Sequence, residues 1–185
     1  MKKFTIVLLC FFLIGCNRRQ DAMQDALALR AALLQASECV LDVEITADYG
    51  NKTYTFAMGC KFDAHGNLSF TVLSPESVKG ITGTIDAQGG NLRFDDTALA
   101  FPLLADGMLS PVSAPWILMK TLRSGYITST GTDGEMTRLI IDETYEARTL
   151  SAHIWLNTEG VIQSAEIYWD SYRILTVEVK SFQIL

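Results

Sequence analysis

The chain has 185 residues, 49% of them hydrophobic, and a formal net charge of −6. The length fits one main domain. The acidic balance excludes a nucleic-acid binder, which needs a basic stripe. Lys2 and Lys3 open the chain, and residues 4–14 then form an almost unbroken apolar run. That run is shorter than the about 20 residues a spanning helix needs. Its length is that of a signal-peptide core. It ends in Leu13-Ile14-Gly15-Cys16.

This ending resembles the lipobox of bacterial lipoproteins. The resemblance implies cleavage before Cys16 and acyl chains such as palmitate on that cysteine. Residues 1–15 are then a signal peptide, 16–20 a lipidated tether and 21–185 a single domain on the extracytoplasmic side of a cell membrane. Removing 1–15 takes away Lys2 and Lys3, so the formal charge moves from −6 to −8. Such a domain is repelled by anionic headgroups.

Residues 21–36 are rich in Ala, Leu, Gln and Arg, which favour helix. Met23, Ala26, Leu27, Leu33 and Leu34 give the expected apolar stripe. Residues 39–48 and 53–62 alternate with period two, and Tyr49-Gly50-Asn51-Lys52 between them is a turn sequence. Matching the apolar faces of this hairpin requires paired residue numbers to sum to about 99 or 101. The first sets Cys39 opposite Cys60 and the second sets them diagonally. A disulfide is expected from this proximity, in an exported chain that permits one; two buried free thiols are the alternative.

Short strands follow, over 68–74, 80–85, 92–94 and 99–101. Residues 102–115 hold three prolines and lack strand alternation. Ser113 and Pro115 suit the start of a helix running to Ser124-Gly125. Strands resume over 126–130, 136–142, 150–156, 161–169 and 175–180. The expected fold is α+β, mainly β. Short turns make the sheet antiparallel, and its alternation gives one wet and one apolar face. Two helices are little cover for about ten strands, so the sheet is expected to curl into an incomplete barrel around them.

This order of elements resembles the LolA/LolB-type half-barrel, the lipoprotein-localisation-factor fold. The segment from Val72 through Pro75-Glu76 and Gly80-Ile81 to Ile85 is similar to Gram-positive, clostridial LolA-like lipoproteins. The resemblance implies either of two roles. In one, the half-barrel binds a lipid or acyl chain. In the other, a filled barrel serves as an envelope adaptor for a protein such as a cell-wall or spore-cortex enzyme.

Trp116, Ile117, Leu118, Met119 and Leu122 crowd the central helix. With Phe56, Met58 and Phe70 they are the candidates for a cavity lining or lid, with a plain core plug as the alternative. No catalytic, cofactor or metal motif is present, and no enzyme activity is expected. His65 falls in a turn and His153 on the polar side of a strand. Asp142, Glu143 and Glu146 read as an exposed loop rather than a cation site. Asn51 and Asn67 begin glycosylation-type triplets and read as turn residues. Free sheet edges leave a homodimer open.

Overall fold

A computed structural model describes residues 17–94, 97–101, 104–105, 108–145 and 148–185. The signal segment 1–15 and Cys16 lie outside them. The first element is helix α1 (Asn17–Gln35). It begins inside the stretch expected to be a tether. Its buried stripe is Ala22, Ala26, Leu29 and Leu33, whereas Met23, Leu27 and Leu34 are exposed. The expected stripe is therefore right at Ala26 and Leu33 only. Ala22 and Leu29 complete the inward side, and Met23, Leu27 and Leu34 are turned to solvent.

The strands are β1 (Glu38–Asp48), β2 (Thr53–Asp63), β3 (Leu68–Ser74), β4 (Thr82–Asp86), β5 (Gly89–Phe94) and β6 (Thr97–Phe101). After helix α2 (Ala114–Ser124) come β9 (Tyr126–Asp133), β10 (Met136–Tyr145), β11 (Arg148–Leu156), β12 (Ile162–Trp169) and β13 (Tyr172–Ile184). Between the two groups, β7 (Leu104–Ala105) and β8 (Met108–Leu109) pair as a small ribbon. The ribbon occupies the Pro-rich stretch expected to hold no strand; two residues per strand are too few to show alternation.

The other strands, eleven among the described residues, form one antiparallel sheet in the order β6-β5-β4-β3-β2-β1-β13-β12-β11-β10-β9. The sheet is curved and unclosed, an incomplete barrel with edges at β6 and β9. Strand β1 sits between β2 and the C-terminal β13. Leu41, Val43, Ile45 and Ala47 point inward from it and are buried, as the alternation predicts.

Helix α2 fills the middle of the concave face. Trp116, Ile117, Leu118, Met119 and Leu122 are all buried there, with Met58 and Phe70 from the sheet. Ser113 precedes the helix, but its hydroxyl donates backward to the Ser110 carbonyl and caps nothing. Three side chains pin α2 through main-chain carbonyls. Arg30 of α1 donates from Nε to Leu122 O and from Nη2 to Gly125 O, both at 2.7 Å. These oxygens belong to a helix C-terminus, where carbonyls lack intrahelical partners. Arg123 donates to the carbonyls of Asp63 and Ala64, and Trp116 Nε1 to that of Gly66, at 2.9 Å.

Arg30→Met keeps the apolar stem and removes both donors. It is expected to lower unfolding free energy by about 1–3 kcal/mol. Urea denaturation checks this; the midpoint should fall while the slope stays constant.

Candidate functional site: an apolar groove at the bare margin of the half-barrel

Helix α2 does not reach the strands near β6. There the concave face keeps a groove of about 380 Å³, lined by Tyr54, Phe56, Val72, Val78, Ile81, Leu92 and Val112 with Thr55, Pro75 and Ser77. Its floor follows from strand register. Phe56 pairs with Ile45 and Val72 with Met58, so all four share the core face. Leu92 reaches the same face through Gly83 and Phe70. No charged side chain lies among these described lining residues.

The wall is the loop after β3. It turns back on itself through Val78 N–H to Pro75 O, at 3.0 Å, and Ile81 N–H to Val78 O, at 3.3 Å. Val72 and Ile81 are then joined at 2.8 Å, and Gly80 N–H donates to Val72 O at 2.9 Å. Gly80 has φ +87°, a left-handed conformation open to glycine at little cost. Tyr49 donates its hydroxyl to Leu109 O at 2.8 Å, tying the ribbon to the β1–β2 turn. Its ring lies 6.2 Å from that of Tyr54, and burial, then Tyr54, pushes the Tyr49 phenol pKa up.

Of the eight cavity and lid candidates, Phe56 alone lines this groove. The other seven are core, because α2 is sunk into the sheet and pinned at both ends. The groove residues not singled out in the sequence are Tyr54, Val72, Val78, Ile81, Leu92 and Val112. Three of these fall within the segment 72–85 that carries the family resemblance, which is the one signal that pointed to them.

A larger depression, of about 790 Å³, opens on the opposite, polar face of β1–β6. Ser69, Thr71, Thr82, Thr84 and Asn91 line it with Lys61 and Arg93. What sets it apart from the groove is charge: Asp42, Lys61 and Arg93 all lie on its lining.

The ionisable candidates are scattered. His65 is exposed in the 63–67 turn. His153 is half-buried on the outer face, where Arg138 Nη2 lies 3.1 Å from its Nδ1. Burial, then Arg138, holds its pKa below the ordinary histidine range. It also stacks 4.4 Å from Tyr168, whose hydroxyl donates to Glu166. Asp142 and Glu143 lie on β10, not on a loop, and Glu143 pairs with Lys120 at 3.3 Å. Glu146 lies outside the described residues. Among the described residues no group of three or more His, Cys, Asp or Glu is placed to hold a metal ion. No helix among them is long and apolar enough to cross a membrane.

Cys39 and Cys60 are buried free thiols, and the expected disulfide is absent from the structure. The register sum is 101: Leu41 faces Cys60 and Cys39 faces Phe62. The diagonal offset, not the face, separates the two sulfurs.

No family model matches the chain, and no curated protein matches it. Solved structures share its outline, as the resemblance implied. It is similar to a LolA superfamily protein from Nitrosomonas europaea, at 8% identity and TM-score 0.48, over 91% of this chain and 94% of that one. A putative outer membrane lipoprotein-sorting protein domain from Vibrio parahaemolyticus gives 8% and 0.48, over 88% and 93%. The GerS lipoprotein complex with the CwlD amidase from Clostridioides difficile gives 10% and 0.42, over 84% and 91%.

Burial, then the Asp42 charge, pushes the Cys60 thiol from its ordinary 9.0 up to about 12. The unfolded chain gives up this proton first, so stability falls as pH rises through that window and is untouched below it. At pH about 8, a thiol reagent should modify neither Cys39 nor Cys60 in the native domain and both after denaturation without reductant. Mass spectrometry of the alkylated chain reads this; no modification after denaturation would establish the bridge instead.

Proposed function

We propose that this protein is an exported, lipid-anchored envelope domain that takes one apolar chain into the groove at the margin of its half-barrel, without catalysis. The observation that carries the reading is an uncharged groove, open to solvent and lined by aliphatic and aromatic side chains, beside a core filled by α2. Its volume lies at the small end of the about 300–1,000 Å³ typical of ligand pockets. That suits a single acyl chain rather than a whole multi-chain lipid. Each methylene removed from water contributes about 0.8 kcal/mol. The Cys16 anchor is part of the proposal and is supported by the lipobox-like sequence.

The adaptor role is the second reading. It is favoured by α2, which fills the middle of the barrel and leaves the margin alone for a ligand.

Native mass spectrometry of the chain purified from cells separates the two. The carrier reading expects a bound lipid mass, lost in Ile81→Trp, which fills the groove from its wall. A ligand-free domain that also takes up no fatty-acid probe sinks it. Cys16→Ala is expected to move the protein from the membrane fraction to the soluble one, checked by fractionation and intact mass.

A further inference from the structure

The apolar face does not stop at the groove; it runs out to the free edge of the sheet. Leu92 continues to Leu99, its partner on β6, and the neighbouring Phe94 faces Thr97. Leu99 is 62% exposed and Phe94 53% exposed. Phe101 lies over Gly90, so closely that a Cβ there would stand 2.2 Å from the ring. Among the described residues, strand β6 is paired with β5 on one side only. Its sequence, Thr97-Ala-Leu-Ala-Phe101, has no charge, no proline and no glycine. Natural sheets guard their edges with such residues, with bulges or with a covering element. Here the β5–β6 register runs without a bulge, whereas the β9 edge is bulged against β10.

We propose that β6 pairs antiparallel with β6 of a second copy, about a two-fold axis through Leu99. The occupant follows from self-complementarity, which a two-fold contact demands. Centred on Leu99, the strand reads the same outward in both directions for its inner residues. Leu99 faces its own copy and Ala98 faces Ala100 on the other, small against small. Thr97 faces Phe101. Charge agrees as well: the five residues of β6 carry none, so no like charges meet along the paired strands. The pairing joins the two apolar faces, so each groove gains a wall from the other copy. A five-residue contact is small, and the dimer is a weak one. The inference does not depend on the groove holding a ligand or on the anchor.

The full chain in density-matched detergent, studied by sedimentation equilibrium, tests this. A concentration-dependent dimer is expected. Leu99→Lys sets like charges opposite one another at an exposed site. It should weaken the dimer at least about tenfold, with the thermal melt unchanged. Leu99→Cys should oxidise to a disulfide-linked dimer, since directly opposed residues have their Cβ atoms about 4.5–5.5 Å apart. Leu73→Cys, exposed on the other face of β3, should not, and the buried Cys39 and Cys60 add no background. A strictly monomeric wild type overturns the proposal. A dimer that Leu99→Lys leaves intact, or one in which Leu99→Cys fails to cross-link, also overturns it and assigns the contact to another surface.

Discussion

Most of this molecule follows from a mismatch of areas. Among the described residues, eleven paired strands present a single apolar face, and two helices have to cover it. Helix α2 is apolar nearly all round and takes the centre, where β2, β10 and β13 meet it. Helix α1 lies toward the other edge, across β9 and β10, with alanines inward. Among the described residues, neither helix packs broadly on β5 and β6. The sheet answers partly by itself there: Phe70 lies over Gly83 and Phe101 over Gly90, each ring filling the space of a missing side chain. What remains uncovered is the groove and the edge beside it.

The outer face is held differently. Along β10 to β13, Arg138 stacks on Trp155, and Trp155 donates to Asp133. Arg173 and the Tyr168 hydroxyl both bind Glu166. Arg138–Trp155 and Arg173–Glu166 join neighbouring strands, and each such pair contributes a few tenths to about 1 kcal/mol. They account for His153 as a member of a packed surface row, with its pKa lowered by burial and by the Arg138 charge.

Alternation made the strands legible. Residues 39–48 and 53–62 named their inward faces correctly, and the turn between them fixed the hairpin. Face alone restricts the register to an odd sum, though, and two residues of offset separate a bridge from two free thiols. Pro115 and Gly125 bracketed α2 because both act locally on the backbone. The stripe on α1 was only half legible, because Ala and Leu occur all round this helix and composition does not set which of them turns inward: Leu29 and Leu33 do, Leu27 and Leu34 do not. The groove was hidden for another reason. Its members come from β2, β3, β5, a loop and the turn before α2, and no periodicity joins residues 54, 78 and 112. The interior of α2 gave no such trouble, since five large apolar residues in one short helix must be buried together.

The junction of the two helices is made by Arg30 against main-chain oxygens of Leu122 and Gly125. Every amino acid supplies a carbonyl, so the arginine reads where the backbone is and not what is attached to it. Position 122 is restrained by the core. Position 125 is restrained by the Ile141 methyl and the Thr121 carbonyl, which crowd the place a Cβ would take. Neither is restrained by Arg30. Related sequences could therefore keep this joint while showing no correlated substitution between the helices. Methods that infer contacts from paired changes would miss the contact that fastens α1 to α2.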